Sequence, residues 1–319
     1  MNAFPHVLSR RGLMVGLGVA SLSGLRRPGR AAQAFNVSYV RQPFNVPQIV
    51  MRERQLLEQR LRPLGFEVVW HDITSGVLQA QALAAGSLDI GAVMNPASVI
   101  MALANGNPLR ITGAVARNRK LAAILTRDPR ITRVADLKGR TVAGVKGTAL
   151  HQYLIAALQD AGLSIGDVAF LDMQLPVSLA ALQSGQVDAA VLAADLILAA
   201  QRQGAREVPT RPGLLQPVTI TCARADLVAQ RPDLVRLYQQ AQAEAVAFVA
   251  ADPDAAIRIA CKANGFSLED GRTLYSWAEF HTRLTPADLE SLERDMAFLI
   301  ENRMCPRPVD LRAALFEAT

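Results

Sequence analysis

The stretch Ala82-Leu83-Ala84-Ala85-Gly86-Ser87-Leu88-Asp89 returns further along the chain as Ala181-Leu182-Gln183-Ser184-Gly185-Gln186-Val187-Asp188. Each copy reads as the end of a helix, a glycine at its C-cap and an aspartate opening a strand. That grammar is common in α/β proteins. Here, however, each copy follows two strand-like runs and stands just before a third. The spacing therefore predicts two similar α/β lobes of about 90–100 residues each.

Outward from the repeat, short β-branched runs alternate with helix-period segments. Strands are predicted at Asn36–Val40, Phe66–Trp70, Asp89–Val93, Ile111–Val115, Thr141–Val145, Val168–Leu171 and Asp188–Leu192. Between most of them, segments such as Val77–Ala85, Leu150–Ala161 and Leu179–Leu182 space apolar residues as a helix does. Strand–helix–strand alternation implies a largely parallel sheet. After Arg224 the pattern becomes nearly all helix, at Pro232–Ala250, Pro253–Ala263, Leu268–Phe280 and Pro286–Arg303. The three prolines sit near helix starts, where a missing N–H costs least. The chain is expected to leave the first lobe near Arg117–Lys120 and return near Gly213–Val218. This gives lobe one as 35–117 with 218–319, lobe two as 118–217, a two-strand hinge, and helical C-terminal residues on lobe one.

A formal charge of +6 on 319 residues invites a nucleic-acid partner, but its location argues otherwise. Residues 1–34 contain Arg10, Arg11, Arg26, Arg27 and Arg30 and no acid; the rest of the chain is nearly neutral. Ser9-Arg10-Arg11-Gly12-Leu13-Met14, a short apolar stretch and a basic tail ending Ala32-Gln33-Ala34 resemble a twin-arginine export signal spanning 1–34. Leu13 and Met14 depart from the usual Phe-Leu-Lys continuation. Export to the periplasm is expected, with no nucleic-acid partner. The 50% hydrophobic content excludes a disordered chain. Cys222, Cys261 and Cys305 are too far apart in sequence for a disulfide scaffold or metal-ligand spacing, so no metal is expected.

Ligands of open parallel sheets bind beyond the carboxyl ends of the strands. That rule nominates six loops: Arg41–Pro47, Asp72–Gly76 and Met94–Pro96 in lobe one, and Lys146–Thr148, Met173–Val177 and Ala193–Asp195 in lobe two. Lys146-Gly147-Thr148 stands between a strand and a helix, so Thr148 is a candidate cap and Gly147 admits a close anion. Ser75-Gly76 has the same setting. Arg41, Phe44, Asn45, Asn95 and Asp195 are further ligand-binding candidates: a charge, a ring, two amides, and a carboxylate that suits an amine. Each is equally open to a packing or capping role. Catalytic signatures are missing from the sequence: no His-Glu-x-x-His, Gly-x-Ser-x-Gly, Walker loop or Gly-x-Gly-x-x-Gly occurs. No cofactor and no catalytic residue is assigned.

The same residues carry a resemblance. Ser75-Gly76, Ala82 to Gly91, Ala135-Asp136-Leu137-Lys138-Gly139-Arg140-Thr141-Val142-Ala143, Lys146-Gly147-Thr148, Ala161-Gly162-Leu163 and Ser184 to Ala189 fall in one order and spacing. The chain thereby resembles the substrate-binding proteins of ABC importers for aliphatic sulfonates, taurine, nitrate and related compounds. The resemblance implies a type II periplasmic binding protein fold closing on a small solute, and an inner-membrane permease as partner. A monomer is expected. It also implies that Ser75, Gly76, Asn95, Lys146, Gly147 and Thr148 face the ligand. One departure is the segment Ala194-Asp195-Leu196, where sulfonate binders usually carry a Trp-Asp-Pro-like run. The alternatives are an enzyme of this fold acting on a pyrimidine or thiamine-precursor-like compound, and a periplasmic ligand sensor.

Overall fold

The computed structural model describes residues 32–40, 44–120, 122–215 and 217–316. The proposed signal falls almost entirely outside them, as does Arg41. The chain first lays down β1 (Gln33–Tyr39), β2 (Phe66–Asp72), β3 (Ile90–Met94) and β4 (Leu109–Asn118). It then builds β5 (Ala123–Thr126), β6 (Thr141–Gly144), β7 (Ala169–Asp172), β8 (Ala189–Leu192) and the short β9 (Arg206–Glu207). Finally it returns with β10 (Val218–Arg224) and β11 (Ala278–Phe280).

Two sheets result, ordered β11-β4-β10-β3-β1-β2 and β7-β6-β8-β5-β9. Neither is as parallel as the alternation predicts. β1 pairs in parallel with β2 and β3, and β6 with β7 and β8. By contrast β10 runs antiparallel between β3 and β4, and β5 antiparallel to β8. Topology explains the correction. β5 and β10 are the first strands after each crossing, so they enter at the carboxyl end of the parallel strands and must run backwards. The crossings touch each other: the backbone N–H and the Nδ2 of Asn118 both donate to the carbonyl of Pro217, at 3.2 and 3.3 Å.

Helices cover the sheets. In the first lobe these are α1 (Val46–Glu53), α2 (Leu56–Leu61), α3 (Gly76–Ala84) and α4 (Pro96–Ala104). The second carries α5 (Ala149–Asp160), α6 (Leu175–Ser184) and α7 (Asp195–Arg202). The C-terminal part adds α8 (Ala225–Gln230), α9 (Pro232–Ala251), α10 (Pro253–Asn264), α11 (Leu268–Ser276) and α12 (Pro286–Glu301). Pro232, Pro253 and Pro286 each open their helix. The predicted helix Leu268–Phe280 is shorter than its periodicity suggests. α11 stops at Ser276 because Ala278–Phe280 pairs with the β4 edge at Ala116–Asn118. Val46 and Pro47, expected in a loop, already belong to α1.

Burial follows the two sheets. Phe35, Ile49, Leu57 and Tyr238 pack into one cluster of the first lobe, and Leu83, Met94, Ile100 and Leu292 into another. The second lobe has its own pair, around Leu154 and Val142 and around Leu182 and Leu192. All three cysteines are buried and unbridged.

The sequence repeat Ala82–Asp89 and Ala181–Asp188 is also a structural repeat. Gly86 and Gly185 hold left-handed φ values of 72° and 74°, which a side chain would resist. The Asp89 carboxylate accepts the backbone N–H of Asn36 at 2.7 Å, and Asp188 accepts that of Thr141 at 2.8 Å. Each aspartate thus ties the start of its strand to the neighbouring parallel strand. Arg224 neutralises Asp89, and Arg140 lies 3.5 Å from Asp188. The motif builds the sheets rather than the site.

Candidate functional site

Strand order places the carboxyl ends of β1, β3, β6 and β8 toward one cleft between the lobes, where a cavity of about 200 Å³ lies. Its apolar wall includes Val40, Val93 and Val115 from the strand ends, Leu150, and the rings of Phe44, Trp277 and Phe280. Every one of the six nominated loops supplies at least one wall residue: Phe44 and Asn45, Thr74, Asn95, Thr148, Leu175, and Ala193 with Ala194.

Those loops all lead into helices. Asn45, Asn95, Thr148 and Ala194 are the residues preceding α1, α4, α5 and α7; Leu175 opens α6, and Thr74 stands beside Ser75, which precedes α3. Six helix N-termini therefore converge on one space. Each carries roughly half a positive charge in unsatisfied N–H groups. α5 has no side-chain cap, because the Thr148 hydroxyl instead donates to the carbonyl of Val145 at 2.7 Å. Among the described residues, the wall has one charged side chain, Lys120, and no carboxylate, histidine or cysteine. Lys120 Nζ pairs with Glu207 at 2.7 Å and lies 5.0 Å from the centre of the Trp277 ring. The field favours a single negative charge held by N–H groups, with apolar surface around it.

A model of the NMT1/THI5-like family matches residues 65–256, more than half of the chain. The chain belongs to the NMT1/THI5-like family. This family member is 27% identical over 294 residues to an Escherichia coli (strain K12) protein provisionally named for aliphatic sulfonate binding, with 90% of each chain covered. The crystal structure of the periplasmic aliphatic sulphonate binding protein SsuA from Escherichia coli superposes with a TM-score of 0.79 at 25% identity, covering 90% of this chain and 93% of the other. The alkanesulfonate-binding protein SsuA from Xanthomonas axonopodis pv. citri, bound to MOPS, has the same TM-score at 23% identity, covering 89% and 98%. The fold of this NMT1/THI5-like protein is that of periplasmic binding proteins, two α/β lobes about a cleft.

Within that fold the individual candidates separate. Phe44, Asn45, Asn95 and Thr148 line the cavity. Ser75 and Gly76 stand one step behind Thr74. Ser75 accepts the N–H of Leu78 as a helix cap, and a Cβ on Gly76 would come within 2.7 Å of Ser98 Oγ. Gly76 thus lets α3 pack closely against the start of α4. Asn95 also caps, accepting the Ser98 N–H at 2.9 Å through Oδ1, while its Nδ2 lies against Gly76. Lys146 and Gly147 are not wall residues; the Lys146 backbone N–H donates to Asp172 at 2.9 Å. Gly147, at φ 73°, makes the turn that delivers Thr148. Asp195 opens α7 behind the wall residue Ala194.

Ala194 has φ 52° and ψ −133°, a conformation that costs a non-glycine residue about 1–3 kcal/mol. This strain falls where the resemblance shows its Trp-Asp-Pro departure. Trp277, from the turn between α11 and β11, supplies an aromatic part of the wall. Asn118, Lys120, Trp277 and Phe280 are wall residues outside the six loops. The first two belong to the crossing, and the last two reach the cleft only because β11 adds to the β4 edge. His151, three residues after Thr148, packs on Phe170 with centroids 4.7 Å apart, and burial followed by the Lys146 charge holds its pKa below the usual histidine range.

Proposed function

We propose that this protein is the solute-binding component of an ABC importer, capturing a small organic anion of the sulfonate type and presenting it to an inner-membrane permease. Closure about the crossings at Asn118 and Pro217 buries the solute between lobe one (35–117 and 218–319) and lobe two (118–217). The solute then favours the closed form by bridging both lobes. The protein acts as a monomer in the periplasm, after export directed by the twin-arginine segment 1–34. The observation that carries the reading is the convergence of six helix N-termini on a cavity with Lys120 and no described carboxylate. The names of the relatives, which refer to sulfonates, support the same class.

Calorimetric titration of residues 35–319 with methanesulfonate, propanesulfonate, taurine, MOPS and nitrate tests it. One-to-one binding of a sulfonate near micromolar Kd, about −8 kcal/mol, is expected. Absence of binding by every sulfonate would sink the proposal, and turnover of a bound compound would replace it with an enzyme.

A further inference from the structure

Buried polar side chains around the cleft are almost all partnered. Ser38 Oγ donates to Gln79 Oε1 at 2.8 Å, Gln79 Nε2 donates to the carbonyls of Ile73 and Val93, and Gln48 bonds the backbone of Ser38 and Val40. Asn45 is the exception in the cavity wall. It is 3% exposed, yet neither its Nδ2 nor its Oδ1 has a hydrogen-bond partner. Asparagine before a helix normally accepts an N–H of the first turn, but Asn45 does not cap α1. A buried amide that forgoes both solvent and its helix is costly unless something else fills the site. Asn45 is a wall residue of the cavity although neither amide atom reaches its surface, so the missing partner is a group that meets the amide as the lobes close on the solute.

Two further features limit that partner. The neighbouring wall is apolar and aromatic, with Phe44, Trp277 and Phe280, so it suits a hydrocarbon body. Among the described residues no carboxylate lines the cavity, so an ammonium group would be buried without a counter-charge. Resting on the anion-binding reading above, we infer that the solute is an organic monoanion with an apolar body and a neutral hydroxyl or carboxamide group, read by Asn45, and no ammonium. The helix N-termini hold the anionic head. Asn45 reads the neutral group, donating through Nδ2 and accepting through Oδ1. With no carboxylate among the described wall residues, the cleft selects against zwitterions, and it selects against plain hydrocarbon tails by leaving the Asn45 amide unpaired.

The test compares benzenesulfonate, 4-hydroxybenzenesulfonate, 4-carbamoylbenzenesulfonate, propanesulfonate and taurine by calorimetry, on the unmodified 35–319 chain and on Asn45→Leu. The unmodified protein should bind the hydroxy or carbamoyl compound at least about tenfold tighter than benzenesulfonate, equivalent to about 1.4 kcal/mol. Taurine should bind more weakly than propanesulfonate. In Asn45→Leu the tenfold ratio should fall toward one. The ratio in the unmodified protein is decisive by itself if the variant does not fold. Equal binding of the substituted and plain compounds, survival of the ratio in Asn45→Leu, or tightest binding by taurine would overturn the inference while leaving anion binding intact. Failure of every sulfonate to bind would remove the anion-binding reading and this inference together.

Discussion

Asp295 offers a quantitative test of how the lobes meet. It lies on α12 of the first lobe, 4% exposed, and accepts from Nε2 of Gln152 on α5 of the second lobe at 2.9 Å. Its other oxygen has no partner. Burial pushes the carboxyl up to about 6, against which the Gln152 hydrogen bond and Arg294 pull only partly. An ordinary aspartate titrates near 3.9, so burial disfavours the charged carboxyl by roughly 3 kcal/mol. The sign follows from proton uptake. The native state binds the proton more tightly than the unfolded chain, so this group contributes its full stabilisation below about pH 4. That contribution is lost as pH rises through about 6, and it stays lost above.

Asp295→Asn keeps an oxygen for Gln152 and removes the titration. Urea unfolding of both proteins from pH 4 to pH 7.5 isolates the group, because other carboxylates cancel in the difference. The stability of the unmodified protein minus that of Asp295→Asn should fall by about 2–3 kcal/mol across this window. A difference that is flat with pH, or that rises, would refute both the burial of this carboxyl and the interlobe contact that holds it.

Other substitutions probe separate parts of the account. Gly76→Ala drives a Cβ against Ser98 and Asn95 and should cost about 1–3 kcal/mol, read as a lower Tm; an unchanged Tm would show that α3 and α4 are not tightly apposed. Asp89→Ala should destabilise by about 2–4 kcal/mol, since it strips a buried partner from Arg224 and Asn36. Asp188→Ala, whose side chain is 31% exposed, should cost about 1 kcal/mol, and denaturant unfolding showing the reverse order would break the argument from burial. Lys120→Met keeps apolar contact with Trp277 but removes the wall's charge, and should weaken sulfonate binding roughly tenfold; calorimetry giving equal affinity would take Lys120 out of the field.

Much of the architecture was legible because it rests on local grammar. The Gly86 and Gly185 C-caps and the aspartates after them required only helix and strand signals to recognise. The six loops followed from one topological rule, and each contributes to the cavity wall. What escaped depends on distant pairing. β5 is the four-residue run Ala123–Thr126, too short to announce its direction. β10 alternates Val218-Thr219-Ile220-Thr221 clearly enough to be a strand, yet only its entry from the other lobe makes it antiparallel. The break at Trp277 has neither glycine nor proline to mark it; β11 forms because the β4 edge is available. Consequently Trp277, Phe280 and Lys120 were not legible as wall residues. The unpaired state of Asn45 was also invisible, since the sequence cannot say whether a cap forms.

The two tryptophans report directly on whether a solute occupies the cleft between the lobes. Trp70 lies on β2, bonded to Glu58, while Trp277 lines the cavity. In Trp70→Phe the remaining emission comes from the cleft alone. Titration of that variant with the tightest-binding sulfonate should change Trp277 emission saturably, with the same Kd and one-to-one stoichiometry found by calorimetry. Calorimetric binding with unaltered Trp277 emission would place the solute elsewhere and contradict the account.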